Sequence, residues 1–444
     1  MMTRAGQLDY RHLEDQLQYV QDIRAMADRP QTYYVVTYGC QMNAHDSEKI
    51  AGMLDDMGLK QAPVRDEADF VIFNTCCVRD NAERRALGNV SWLKEVRKHN
   101  PRLMIGVCGC MIQEPGMAEK IVRQYGFVDL AFGTAVLHRF PELFWRALHA
   151  DHVVVETGGA DVIVEGVPVK RLRHEAAYIS IMQGCNNFCS FCIVPYVRGR
   201  ERSRSMQEIL HEAETLRDMG CREIMLLGQN VNSYGRDEPG ADFPALLREL
   251  DKVGIERIRF MTSHPKDLSD ELIEVISGAR HVLPQFHLPV QSGDDEILRR
   301  MNRHYTRQHY LERVHALRTA VPGIGLTTDL IVAFPGETEE QFEHTLSLVD
   351  EIGYDSAFTF IYSPRTGTAA AKMPDQVPDS VKEERRDELM LLQQEISARL
   401  GQARIGTETE VFIEGYMPGD GAYAGRTRAD AASIDGYIFV ETEN

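Results

Sequence analysis

Two stretches of this chain alternate apolar strand and amphipathic helix, and the strands of the first each run out into cysteine. Tyr33-Tyr34-Val35-Val36-Thr37-Tyr38 is a β-type run that ends at Gly39-Cys40. Helical periodicity follows over residues 46–57, with Asp46 or Ser47 as its N-cap. Phe70-Val71-Ile72-Phe73-Asn74-Thr75 is a second strand, ending at Cys76, and a helix follows over 82–99. Leu103-Met104-Ile105-Gly106-Val107 is a third, ending at Cys108-Gly109-Cys110. Such alternation predicts a parallel sheet with helices packed on it. The functional crevice of an open α/β sheet lies at the carboxyl ends of its strands. Three thiols distant in sequence are therefore expected at one edge. Cys77 directly follows Cys76 and points elsewhere in an extended chain. Spacing alone leaves the choice between Cys108 and Cys110 open.

The second alternation is longer. Strands are expected at 178–182, 223–227, 257–261, 285–287, 325–331 and 356–361. Helices are expected at 206–219, 245–253, 270–278, 308–320 and 339–352. This pattern predicts a partial (β/α)6 barrel, whose site lies at the C-terminal ends of its strands. Its first strand feeds Gly184-Cys185-Asn186-Asn187-Phe188-Cys189-Ser190-Phe191-Cys192, a C-x3-C-x2-C run. Thiolates suit zinc, copper(I) and iron–sulfur clusters. Structural zinc closes four ligands, whereas this loop supplies three. A cubane on three cysteines keeps one iron open to a small molecule.

Size and charge narrow the context. A chain of 444 residues exceeds one ordinary domain. Its nine cysteines form no secreted disulfide framework, residues 1–30 carry no signal-type apolar run, and nothing approaches a membrane span. The expectation is a reducing, cytoplasmic setting. The net charge of −18 argues against a general nucleic-acid binder but allows local basic patches. Arg198, Arg200, Arg202 and Arg204 form one such cluster, and Arg299, Arg300, Arg303 and Arg307 another. Both are candidates for phosphate contacts, against the alternative of arginines paired with carboxylates. Residues 1–30 read as an N-terminal extension with a short amphipathic helix on Leu8, Leu13, Leu17, Val20 and Ile23. Residues 31–150 form the α/β domain and 151–170 a linker, in which Val153–155 and Val162-Ile163-Val164 could make a hairpin around Gly158-Gly159. Residues 171–403 form the core, opened by the basic strip 170–174, and 404–444 a small β-rich module.

These motifs together resemble a known family. The C-x3-C-x2-C loop is similar to the signature of the radical S-adenosylmethionine (SAM) enzymes, in which the open iron is chelated by SAM. Tyr38-Gly39-Cys40-Gln41-Met42-Asn43, Asn74-Thr75-Cys76 and Cys108-Gly109-Cys110 resemble the N-terminal domain of the radical-SAM methylthiotransferases. The resemblance covers residues 31–444. It implies two [4Fe–4S] clusters: a radical cluster on Cys185, Cys189 and Cys192 and an auxiliary cluster on Cys40, Cys76 and Cys110. It also implies that Gly228, Gln229, Asn230, Ser263, His287 and Gln291, at or near the strand ends, contact SAM or line the substrate pocket. Tyr38–Asn43, residues 74–79 and Pro195-Tyr196-Val197-Arg198-Gly199 look most like the branch acting on tRNA. That branch places a methylthio group on C2 of N6-isopentenyladenosine at position 37, beside the anticodon. The implied partners are the tRNA anticodon loop and an electron donor. The C-terminal residues resemble the start of an RNA-binding TRAM module. Yet over 405–444 eight carboxylates face only Arg426 and Arg428. Residues 424–430 with 434–436 look closer to the sister branch that modifies an aspartate of ribosomal protein S12. That branch, and a non-catalytic iron–sulfur or zinc RNA-binding protein, are the alternatives.

Overall fold

The computed structural model describes residues 11–77, 80–158, 163–238, 240–431 and 437–442. The sequence readings at Leu8, Arg79, Val162 and residues 434–436 fall outside them. The chain divides into two compact units, one formed by residues 1–186 and 192–208, the other by 187–191 and 209–444.

In the first unit, helix α1 (Arg11–Ala25) precedes a wound α/β layer. Its elements are β1 (Thr32–Tyr38), α2 (Gln41–Asp56), β2 (Lys60–Gln61), β3 (Phe70–Thr75), α3 (Asp80–His99), β4 (Met104–Gly109), α4 (Met117–Gln124), β5 (Leu130–Phe132), α5 (Phe140–His149) and β6 (Val154–Glu156). The six strands form one all-parallel sheet in the order β2-β1-β3-β4-β5-β6. Strand β3 is buried along its whole length, as a strand covered on both faces must be. Two apolar clusters contribute to its core, one containing Ile50, Leu54, Phe70, Ile72, Phe140 and Phe144, the other Val71, Phe73, Val90, Ile105, Val107 and Ile121. Two expectations change. Val154 and Val155 are not half of a linker hairpin; they form β6 and extend the sheet beside β5. Helix α2 begins at Gln41 rather than near Asp46. Polar Asn43 and His45 are buried near its start beside Met42, so apolar periodicity did not mark the helix end.

The first unit closes with β7 (Ala176–Ser180), β8 (Met182–Gln183), α6 (Val194–Val197) and β9 (Arg202–Ser203). Strands β8 and β9 pair antiparallel, Met182 opposite Ser203 and Gln183 opposite Arg202, and tie together the two ends of the cysteine loop.

The second unit holds most of helix α7 (Met206–Asp218), then β10 (Glu223–Leu227), α8 (Phe243–Val253), β11 (Arg257–Phe260), α9 (Asp270–Gly278), β12 (Gln285–His287), α10 (Asp295–Arg300), α11 (Arg307–Ala320), β13 (Gly325–Val332), α12 (Glu339–Ile352), β14 (Ser356–Ile361) and α13 (Asp379–Ala403). β10 pairs with β11, and β12 with β13 and β13 with β14, all parallel. A parallel bridge from Ile258 to Val282 links the two groups. This is the expected β/α barrel wall. Each strand hands its C-terminal end to a loop, and each following helix packs back on the wall.

The C-terminal β15 (Val411–Met417), β16 (Ala422–Thr427) and β17 (Ile438–Val440) form an antiparallel meander. A buried ion network seats it on the barrel. Arg257 and Arg259 both donate to Glu223 Oε2 at 2.9 Å, and their other nitrogens reach Thr427 O and Asp430 O. Arg426 donates to Glu414 and lies 3.4 Å from Glu223. Among the described residues no helix is long and apolar enough to cross a membrane.

Candidate functional site

Strand register delivers the three N-terminal cysteines to one edge. Tyr38 pairs with Thr75 and Thr75 with Gly109, so the next residues of three adjacent strands are Gly39, Cys76 and Cys110. Neighbouring strands lie about 4.8 Å apart. Cys40 follows one residue later as the N-cap of α2 (φ −93°, ψ 177°), where the helix end favours negative charge. Close packing at this edge requires glycine twice. A Cβ on Gly39 (φ +146°) would lie 2.6 Å from Cys76 Cβ, and one on Gly109 (φ +99°) would lie 2.5 Å from Thr75 O. Beneath it, Asn43 Nδ2 donates to Asn74 Oδ1 (3.1 Å) and Asn74 Nδ2 to Asn43 O (2.8 Å).

Cys108 and Cys110 differ in position. Cys108 packs in the sheet core, and burial pushes its thiol well up. Cys110 lies one residue past the strand end. Its thiol is pulled down, first by the Cys77 S–H and then by the Arg198 guanidinium. Arg198 is buried, donating from Nε to Cys110 Sγ at 3.2 Å and from Nη2 to Asp46 Oδ2 at 2.8 Å. Cys77, set aside on sequence grounds, thus touches the site as a donor, whereas Cys221 donates to Glu223 O (3.2 Å) away from it. Among the described residues no three Cys, His, Asp or Glu side chains converge on a single ion. A cubane spreads its ligands over separate irons and needs a wider trio. Adjacent strand ends lined by an exposed Cys40 and buried Cys76 and Cys110 fit that demand.

The C-x3-C-x2-C loop is shared between the units. In the first, Cys185 N donates to Gly199 O (3.2 Å), and a Cβ on Gly184 (φ +79°) would collide with Arg200 O. Cys192 also belongs there. In the second, residues 187–191 are gripped by residues 300–303. Ser190 N donates to Met301 O (3.0 Å), Ser190 Oγ to Arg300 O (2.8 Å) and Asn302 Nδ2 to Phe188 O (3.0 Å). Arg303 Nη1 lies 3.4 Å from Cys189 Sγ. Its Nε donates to Tyr305 OH (3.0 Å) and its Nη2 to Pro289 O (2.7 Å).

The barrel edge carries the remaining expected residues. Thr262 Oγ1 donates to Gly228 O (2.6 Å) and Val231 N to Thr262 O (3.1 Å), which draws Gly228, half-buried Gln229 and Asn230 beside Ser263. His287 Nδ1 meets Thr327 Oγ1 (2.9 Å), and Gln291 bridges to Leu330. Tyr305 connects the two groups: its ring packs edge-on against His264, and its OH donates to Val290 O (2.7 Å). Thr262, Gln291 and Ala333 adopt φ of +65°, +74° and +58° just past β11, β12 and β13. Strain of this kind gathers where function fixes the backbone. Among the described residues, Asn230 Oδ1, both amide atoms of Asn232, Ser263 Oγ and His264 Nε2 are buried without a hydrogen-bond partner. His264 Nδ1 accepts from Lys266 N (3.3 Å), so its Nε2 carries the proton. Burial, then the charge of Arg303, holds the ring neutral. Buried polar atoms left this way are satisfied by water, an ion or a polar ligand, and the amino, carboxylate and hydroxyl groups of SAM are of a kind that would pair with them.

Several arginines of the two basic clusters have partners within the protein. Arg198 and Arg303 point at cysteine sulfurs, Arg204 pairs with Glu165, Arg299 with Glu296 and Arg307 with Glu351. Arg202 donates to Arg198 O (2.9 Å), and Arg200 is exposed. For Arg204 and Arg307 the partner carboxylate is distant in sequence, whereas Glu296 lies one helical turn from Arg299. The tail's Arg426 is likewise locked in the ion network, and Arg428 donates to Arg280 O (3.0 Å). The segment that resembled the S12-modifying branch therefore seats the module.

A parallel sheet edged with cysteines and a barrel with a three-cysteine loop define the class. Residues 179–349 match the Radical SAM superfamily, and 32–133 match Uncharacterized protein family UPF0004. The fold is similar to that of a radical SAM methyltransferase, TsrM, from Kitasatospora setae (TM-score 0.56, 15% identity, 77% of each chain). OxsB, a cobalamin-dependent SAM radical enzyme, is also similar (TM-score 0.52, 14% identity, 83% of this chain and 56% of that one). The chain is 50% identical over 425 residues to the tRNA-2-methylthio-N(6)-dimethylallyladenosine synthase of Caldicellulosiruptor saccharolyticus, covering 94% of this chain and 90% of the relative. It is 52% identical over 400 residues to that of Alkaliphilus oremlandii, covering 89% and 85%. The chain belongs to the tRNA-2-methylthio-N(6)-dimethylallyladenosine synthase family.

Proposed function

We propose that this chain methylthiolates tRNA, converting N6-isopentenyladenosine at position 37 to its 2-methylthio derivative. Cys185, Cys189 and Cys192 hold the SAM-binding [4Fe–4S] cluster, and Cys40, Cys76 and Cys110 hold the auxiliary one. One observation carries the reading: a chain half identical to such synthases over 94% of its length delivers a cysteine from each of three neighbouring strand ends.

The target C–H is unactivated, and no side chain could remove its hydrogen at neutral pH. When bound, the two clusters and SAM supply the one-electron chemistry, sulfur and methyl group that the side chains lack. The chain's own residues bind and orient. Gly39 and Gly109 keep the auxiliary edge narrow, and Asn43 and Asn74 brace it. Asn230, Asn232, Ser263 and neutral His264 offer polar atoms to SAM, with Gly228, Gln229, His287 and Gln291 on the same barrel edge. The residues gripping 187–191 fix Cys189. The target base must be splayed out of the anticodon loop to expose C2. Reduction draws on an external electron donor, and the setting is the cytoplasm, where tRNA and reduced thiols coexist.

The test is mass spectrometry of tRNA nucleosides and of ribosomal protein S12 from a strain lacking its own synthase and carrying this chain. The 2-methylthio nucleoside should reappear, with no change in S12. A methylthio group gained only by S12 would overturn the reading.

A further inference from the structure

The chain carries 67 acidic and 49 basic residues, yet residues 297–311 and 356–374 contain no Asp or Glu. Both stretches meet residues 187–191 of the cysteine loop within the second unit. Ser190 joins them. Its Oγ donates to Arg300 O (2.8 Å), its N to Met301 O (3.0 Å), and its O accepts from Ala370 N (2.8 Å). Ser190 is also the covalent neighbour of Cys189. Beneath these contacts Ile297, Met301, Phe334, Tyr362 and Ala370 form a buried apolar cluster, with Phe191 and Met373 packed against it.

The rim of this contact is cationic. Lys372 is exposed and Arg300 half-buried, and among the described residues neither forms an ion pair. A Cβ on Gly336 would lie 2.5 Å from Arg300 Nη1, and Gly336 N donates to Asp375 O (2.7 Å). The guanidinium therefore lies beside the loop that carries Lys372. Exposed His304 stands on the other stretch. The bordering acids are Glu296, taken by Arg299, and Asp375. An unneutralised cationic patch on an acidic protein steers an acidic partner toward it.

We propose that this rim is the docking surface of the electron donor, and that the donor is a small acidic one-electron carrier protein. This rests on the proposed assignment of Cys189 as a ligand of the SAM-binding cluster. A carrier seated at the rim connects to Cys189 through one hydrogen bond, Ala370 N to Ser190 O, and the chain from Ser190 to Cys189. One electron leaves the carrier's reduced cofactor and enters the cluster, and no bond is made or broken. RNA phosphates would also meet cations here but gain nothing from the connection to Cys189.

The test uses the full chain with Cys40, Cys76 and Cys110 replaced by Ala, reconstituted anaerobically so that one cluster reports. It is mixed in a stopped-flow instrument with reduced flavodoxin or reduced plant-type ferredoxin, and binding of the oxidised carriers is measured by calorimetry. At low salt, Lys372→Glu should lower the second-order rate of cluster reduction about threefold or more, and Lys372→Glu with Arg300→Gln about tenfold, with carrier affinity falling in step. At about 0.5 M salt the differences should shrink. Reduction of Lys372→Glu by photoreduced deazaflavin, a small uncharged reductant that needs no docking, should match the parent. An effect confined to flavodoxin or to ferredoxin supports the proposal and identifies the carrier's cofactor as flavin or iron–sulfur. If both variants bind and accept electrons from both carriers like the parent, or if the deazaflavin rate falls equally, the proposal is wrong. Weakened tRNA binding with both carrier readings unchanged would assign the rim to RNA and overturn it. If the double variant does not fold, as judged by circular dichroism, Lys372→Glu decides. A parent that holds no four-iron cluster would instead remove the functional reading on which the proposal rests.

Discussion

Each unit buries an arginine against the sulfur of a cysteine that the sequence singles out, and the two differ in what balances the charge. Arg198 reaches Cys110 at 3.2 Å while paired with Asp46 at 2.8 Å. Arg303 reaches Cys189 at 3.4 Å with a phenol and a carbonyl as its other partners. The first arginine has a carboxylate partner within its own unit. The second has no carboxylate partner among the described residues.

The largest effect separates the two cysteine sets. Replacing Cys185, Cys189 and Cys192 by Ala should lower iron from about eight to about four per chain and abolish reductive cleavage of SAM. Replacing Cys40, Cys76 and Cys110 should lower iron equally but leave 5′-deoxyadenosine formation intact, as chromatography of the products will report. Equal loss of cleavage in both variants would break the division of labour.

Next comes the cost of stranding a charge. In cluster-free protein, Arg198→Met leaves Asp46 buried and alone, and urea unfolding should show a loss of about 3–5 kcal/mol. Adding Asp46→Asn should restore most of it. Arg303→Met strands no carboxylate and should cost only about 1–2 kcal/mol in lost hydrogen bonds. Equal losses would erase the contrast between the two arginines.

Gly109→Ala should cost about 2–3 kcal/mol, since its Cβ would lie 2.5 Å from both Asn74 Oδ1 and Thr75 O at φ +99°. Iron should fall toward about four per chain, with the electron paramagnetic resonance signal of the radical cluster unchanged.

The smallest effect concerns a third buried pair. Burial raises the Glu337 carboxyl from 4.5 to about 7, against the opposing pull of the Ala333 N–H and of Arg385 at 3.0 Å. Its folded value lies above its unfolded one, so its contribution is full below about pH 4.5 and is lost as pH rises through about 7. Glu337→Gln should flatten the decline in stability between those limits by on the order of 1–2 kcal/mol, measured by urea unfolding across pH.

Much of this architecture is legible in the sequence because it rests on period and position. Apolar runs, each followed by a helical repeat, located β1, β3 and β4 and the barrel strands, and each cysteine's place after its run brought it to a sheet edge. Contacts between residues distant in sequence were not legible. Arg198 and Arg303 stood in clusters that looked made for phosphate, and only the folded chain turns them toward sulfur. Asp46 read as a helix cap, although α2 starts five residues earlier, because Asn43 and His45, buried near that start, are polar. Cys77 read as bystander packing, and β6 as linker, since three residues carry no period.

The account's central claim is that two cysteine trios hold two cubanes, one beside each of these arginines. Iron and sulfide analysis with Mössbauer spectroscopy on anaerobically reconstituted chain tests it most directly. The account predicts about eight irons per chain, all in [4Fe–4S] environments, with each triple-Ala variant keeping about four. A single zinc per chain, or four irons that survive both triple substitutions, would contradict it.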